Sequence, residues 1–367
     1  MNTLIPIEYY TNIYYYFFLV ICLYTFITSQ HYSIDDIHNL KVKKNLTYLI
    51  FLFVVIYIGT RPLSGKYFGD MRTYADTYER YSTGIDDVEK NDFLFDLLMQ
   101  GCSTIMPVEF FFLICTCLYV IPLMYATKRF FSEYQFYAFL MLVISMSFWS
   151  YGTNGLRNGI ATSIFILALS RKKIASTLFW ILVSTQFHKS LTVPALIFIV
   201  TYFYNNSKTF FYVWLAAIPL SLVLGGFWEN FFLNIGLFDD NNHLEGYLVL
   251  DDEFQAQFSK VGFRWDFLLY SATGVFSAWY YIVKKDYIED QLYVKMCNIY
   301  LLANAIWILV IRANFSNRFA YLSWFLLGLI IIYPLLKYKF FKNQHQVVGR
   351  IVFIYFMFTF LMNVILA

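Results

Sequence analysis

Charge is what this sequence has least of. Only 14% of its 367 residues are Asp, Glu, Lys or Arg, against about a quarter in a soluble domain. With 59% hydrophobic residues and a mean hydropathy of +0.55, that shortage excludes an ordinary soluble fold. Cysteine is scarce too. Cys22, Cys102, Cys115, Cys117 and Cys297 lie in apolar surroundings without CxxC or Cys/His spacing, and read as small packing residues rather than metal ligands or redox pairs. No Pro/Gly/Ser-rich linker, internal repeat or low-complexity tract divides the chain, so a single transmembrane domain is expected over residues 1–367. The missing repeat also removes the most useful mark of an inverted-repeat transporter. A net charge of +3 without a long basic block argues against a nucleic-acid partner. The opening MNTLIPIEYY has no basic n-region, so the first apolar run is expected to stay as a membrane helix rather than be cleaved as a signal.

What the chain has instead is apolar runs from end to end, each near the roughly 20 residues that cross a bilayer as a helix. They fall at residues 8–27, 45–60, 108–126, 134–151, 154–170, 174–187, 190–203, 210–228, 265–283, 292–311, 319–336 and 351–367. The expected fold is an all-α polytopic membrane protein of about twelve transmembrane helices. One amphipathic segment at 91–106, too short to span, is expected as a half-helix or re-entrant element ended by Pro107. Residues 28–44 read as a polar link, and residues 61–91 and 229–263 as long polar loops.

Lys and Arg in short loops are held on the cytoplasmic side during insertion. The clusters at 41–44, 128–129, 171–173, 284–285 and 337–342 alternate so as to share one side. Both termini and both long loops are then expected to face outward. The outer side would carry Arg61, Arg72, Arg80, Arg157, Arg264, Arg312 and Arg318 against the insertion bias, together with most of the acids. Planar forked donors collected there suit a phosphate or carboxylate ligand.

Arg157, in YGTNGLRNGIATSIF, is expected about one turn inside its span, where an ionisable group is costly unless paired; snorkelling or a structural ion pair is the plain alternative. Arg61 and Arg72 bracket Asp70, either as a site or as a loop-folding salt bridge. His188, in STQFHKS, is the one histidine at an outer helix boundary, fit for a general base or, more plainly, for a cap. Arg264 and Asp266 open a helix two residues apart, a spacing that on a helix turns them to different faces. Arg312 and Arg318 share the link RANFSNR. Tyr74, Tyr78 and Tyr247 are candidates to stack on sugar rings.

These segments resemble a known family. GTRPLSGKYFGDMRTYADTY resembles the glycine–arginine, then glycine–aspartate–tyrosine signature of EpsG-like and Wzy-type polysaccharide repeat-unit polymerases. NGLRNGIA resembles their intramembrane arginine segment, with Asn158 where glutamine is more usual, FHKS their histidine turn, and NRFAYL their late arginine–tyrosine element. They stand in the family's order. The resemblance implies a metal-independent, cofactor-free glycosyltransferase of the bacterial plasma membrane, with glycosyltransferase-C-like packing by analogy. Donor and acceptor would both be undecaprenyl-diphosphate-linked oligosaccharides on the outer leaflet, and a chain-length regulator is a further partner it allows. A departing diphosphate needs cationic stabilisation; Arg61, Arg72, Arg157 and Arg318 are assigned to it. Asp70 or His188 would accept the proton of the attacking sugar hydroxyl. Tyr74, Tyr78, Tyr247, Arg264 and Asp266 would hold sugars. An O-antigen ligase and a flippase for the same lipid-linked repeats are the competing readings, and an acyltransferase a weaker one.

Overall fold

In a computed structural model, residues 5–84, 92–234, 262–286, 289–313 and 316–366 are described, and among them the chain is helical with no strand. It divides into two compact units. The first comprises residues 1–188 and 335–367, the second residues 189–334.

The first unit begins with α1 (Tyr10–His31) and α2 (Ile37–Gly59). The expected polar link over 28–44 is mostly helix. Asp36 starts α2 by accepting a hydrogen bond from the Asn39 amide at 2.7 Å, and Lys41 and Lys44 face outward. The buried Lys43 Nζ lies 4.4 Å from the centroid of the Tyr24 ring and 4.7 Å from that of Phe136, and donates to Thr28 Oγ1. The two helices are locked by Tyr10 and Tyr57, which stack and donate to each other's carbonyls.

Helix is also found where the first long loop was expected. The short α3 (Gly65–Phe68) and the amphipathic α4 (Met71–Ser82) occupy it, α4 burying Met71, Tyr74, Tyr78 and Tyr81 on one face. Next come α5 (Phe93–Ser103), short as expected, and α6 (Val108–Phe131). The expected span at 134–151 is broken into α7 (Gln135–Val143) and α8 (Met146–Thr153) by the extended Ser145. A break inside apolar surroundings needs its freed carbonyls satisfied. The Tyr14 hydroxyl takes that of Val143 at 2.7 Å.

Helix α9 (Leu156–Leu169), with only 14 residues, is about 21 Å long, short of the roughly 30 Å hydrocarbon core. It is buried almost throughout, packed between α6 and α10 (Ile174–Phe187). Enclosed by protein rather than lipid, it need not match the bilayer. Among the described residues seven helical stretches are long and apolar enough to cross a membrane, and four shorter apolar helices accompany them. The expected twelve spans therefore include several helices that hydropathy alone does not separate from true crossings.

The basic clusters of this unit collect at one end. Arg129 donates to the Ser170 carbonyl, Asp35 meets Tyr134, and Lys337 lies over Phe131. The ends of α2, α9 and α10 away from these residues carry Arg61, Arg157 and His188.

The second unit comprises α11 (Thr192–Phe203), α12 (Ser207–Asn234, kinked at Leu224), α13 (Trp265–Trp279), α14 (Gln291–Leu309) and most of α15 (Ser316–Lys337). The remaining helix, α16 (Gln344–Phe360), packs on α1 in the first unit. The core of the second unit is tied by Asn304, whose amide accepts from Trp214 and donates to Ser271 and Ser323, while Trp324 also donates to Ser271. This buried polar set joins α12, α13, α14 and α15.

Candidate active site

At the end of the first unit opposite the lysine clusters, three side chains meet. Asp92 is the N-cap residue of α5, in extended conformation, where an aspartate ordinarily accepts from the next amides and contributes about 1 kcal/mol. It makes no such bond. Its own amide is satisfied by Asp96 Oδ2 at 3.0 Å, and its carboxylate turns inward. Oδ2 stands 2.8 Å from Arg157 Nη1 and 3.1 Å from His188 Nδ1. The Asp92 side chain is 2% exposed, with Arg157 at 20% and His188 at 15%, so the acid lies beneath the two groups it holds.

Arg157 is the second residue of α9, a position where the helix dipole disfavours a cation, and Asp92 offsets that. Tyr74 packs against it, ring centroid 5.9 Å from the guanidinium carbon, and burial pushes the phenol up, so it stays a neutral donor at physiological pH. With the Asp92 carboxylate accepting from Nδ1–H, His188 is set in the tautomer whose Nε2 carries the lone pair.

Two further contacts fix the frame. Asn154 Oδ1 accepts from the Asp70 amide at 2.7 Å, and Arg61 Nη2 donates to the Thr153 carbonyl at 3.0 Å. The segment after α2 is thereby fastened to the turn that presents Arg157. Gly69 has φ +52°, and a Cβ there would strike the Asn154 amide, so the turn into α4 needs glycine.

The other expected site residues are placed as follows. Arg61 is buried between Phe68 and Phe112, its Nη1 on the Ile58 carbonyl at 2.7 Å. Burial pushes its pKa down to about 10, which leaves it charged at neutral pH. Its terminal nitrogens are committed to main chain. Asp70 precedes α4 and is half-buried, without capping it. Arg72 is largely exposed on the side of α4 away from Tyr74. Tyr78 is buried and donates to the Met106 carbonyl at 2.6 Å; burial pushes its pKa up to about 12. Arg264, Asp266 and Arg318 belong to the second unit, Arg318 in the first turn of α15. Tyr247 lies outside the described residues.

The expectation that Arg264 and Asp266 face apart is corrected. Arg264 precedes α13 with non-helical backbone, so helical spacing does not govern it, and the pair is bidentate at 2.9 and 2.7 Å.

Asp92 is the residue that sequence reasoning missed. In NDFLFD it reads as a plain N-cap before an apolar helix, and only its unmade cap bond marks it. Among the described residues no group of three or more His, Cys, Asp or Glu stands close enough to hold a metal ion.

A polytopic helical membrane protein, with an aspartate, a histidine and an arginine gathered at one end of a helical unit, is the class these features define. The chain belongs to the EpsG family, whose sequence model matches residues 44–367 and so takes in every residue of this cluster. No curated protein and no solved structure matches it. Membership makes it a membrane protein of polysaccharide biosynthesis.

Proposed function

We propose that the protein is a polysaccharide repeat-unit polymerase, joining undecaprenyl-diphosphate-linked oligosaccharides by glycosyl transfer. The observation that carries this reading is Asp92 held under Arg157 and His188 in place of capping its helix. In the proposed step an acceptor sugar hydroxyl attacks the anomeric carbon of the donor. His188 Nε2 takes the hydroxyl proton, the bond from anomeric carbon to diphosphate oxygen breaks, and the diphosphate leaves with the electron pair. Asp92 stabilises the imidazolium that forms. Arg157 offers its fork to the departing diphosphate. His188 is preferred over Asp70 as base because a carboxylate orients it. Arg61, committed to main-chain carbonyls, serves the frame rather than the diphosphate.

The lysine-rich end of this unit suits the cytoplasm, and a cluster at the opposite end then suits the outer face, which supports the polymerase reading. Collection of these groups at one end favours a transferase over a flippase, whose charges would line a path between both faces.

The test is the lipid-linked oligosaccharide pool of cells lacking the gene, sized and assigned to a leaflet, with parent, Arg157→Lys and His188→Gln complements. Single repeats building up on the outer leaflet in the deletion, cleared by the parent and not by either variant at normal protein levels, is the expected result. Repeats trapped inside would mean a flippase, and long polymer stranded on the carrier a ligase. Either outcome overturns the proposal.

A further inference from the structure

Helix α4 has a second working face. A cleft of about 480 Å³ opens beside it, walled by α4, the residues just after α2 and the turn between α5 and α6. Arg72, Asp76 and Glu79 form a stripe along that wall at helical spacing, joined by Ser64, Ser82 and Ser103, whose hydroxyls are engaged with main chain and keep lone pairs that can accept. Leu63, Met106 and Pro107 add apolar surface.

The charges of Arg72 and Glu79 do not favour the helix. Arg72 is the second residue of α4 and Glu79 lies in its last turn, so each stands at the end of the dipole that disfavours its sign. Arg72 and Asp76 are i,i+4 partners in the less favourable order, 3.9 Å apart and 80% and 65% exposed. Gly65 lies beside the start of the Arg72 side chain, and a Cβ there would come within 3.1 Å of the Arg72 Cβ.

One forked cation, two carboxylates, three hydroxyls and an apolar strip together suit a ligand that offers many hydroxyls, carries little net charge and has a C–H face. We propose that this cleft binds carbohydrate: the sugar residues of the lipid-linked oligosaccharide remote from the reacting bond. The Asp76 and Glu79 carboxylates accept from sugar hydroxyls and Arg72 donates. The opposite face of α4 carries Tyr74 against Arg157, so about one helix diameter, ~10 Å, separates cleft and cluster. The inference rests on the polymerase reading for the identity of the glycan, and not for the cleft's chemistry.

The test uses the full-length protein in nanodiscs and two probes. One is the repeat-unit oligosaccharide released by mild acid from the lipid carrier of cells that carry the gene, labelled at its reducing end. The other is sugar-free undecaprenyl diphosphate. The Asp76→Asn, Glu79→Gln double variant changes two exposed side chains. It is expected to weaken oligosaccharide binding by about tenfold or more, the loss of a charge-assisted hydrogen bond, and to bind undecaprenyl diphosphate like the parent, which also shows that it folds. An oligosaccharide that binds both proteins equally, or binds neither, overturns the cleft. A parent that binds oligosaccharide through these acids yet does not lengthen lipid-linked repeats in the same nanodiscs overturns the polymerase reading and leaves the cleft standing.

Discussion

Two aspartates stand at the same position of two helices, Asp92 before α5 and Asp290 before α14. Asp290 Oδ1 accepts from the amides of Leu292 and Tyr293, at 3.1 and 3.0 Å, and its Oδ2 from the Tyr333 hydroxyl at 2.9 Å. All of that serves the fold of the second unit. Asp92 caps nothing and spends its carboxylate on a cation and an imidazole of two other helices. Residue type and local sequence are the same in kind. What separates the two is whether the helix each begins receives its oxygens. Asn304 belongs with Asp290, because its hydrogen bonds with Trp214, Ser271 and Ser323 lie within the buried core of its unit.

The contrast is broken most sharply by isosteric replacement. Asp92→Asn keeps an acceptor for Arg157 and the shape of the turn but removes the charge that orients His188. Polymer formation should fall by about 10²–10⁴-fold at normal protein levels, as read from glycan ladders normalised to protein. Near-parental ladders would return Asp92 to the class of Asp290. A middle effect is expected from Arg61→Lys, which cannot keep both main-chain bonds. It should cost about 1–3 kcal/mol of stability, seen as a lower unfolding temperature, while turnover per folded molecule stays close to parental. A collapse of turnover in well-folded Arg61→Lys would restore that arginine to the diphosphate. The smallest change is expected from Asp290→Ala, which loses a cap of about 1 kcal/mol. It should lower the unfolding temperature slightly and leave the glycan ladder unchanged.

Much of this was legible from residue order. Hydropathy gave the helical membrane fold, and the basic clusters at 41–44, 128–129, 171–173 and 337–342 gave the common end they occupy in the first unit. Arg157 and His188 were legible as ionisable groups that helix burial does not explain. The break at Ser145 and the brevity of α9 were not, because a hydropathy window sees apolar residues and not whether lipid or protein surrounds them. Nor was α4, whose mean composition is polar and whose tyrosines reveal themselves only at a period of 3.6. Asp92 stayed hidden for a different reason: the partners that give it meaning are 65 and 96 residues away.

That separation has a consequence for biosynthesis. The chain emerges at about 5–20 residues per second, so Asp92 enters the membrane region roughly 5–20 s before His188 is made. Arg61 precedes its anchor at Thr153 by 92 residues, a wait of the same order. During that interval the Asp92 carboxylate lacks Arg157 and His188, and the Arg61 guanidinium has the Ile58 carbonyl beside it but not that of Thr153. The pairing of α1 with α2 through Tyr10 and Tyr57 can form as soon as both are released, whereas the Asp92 cluster closes only when α9 and α10 arrive, and a nascent chain truncated before Arg157 should hold the first pair and not the cluster.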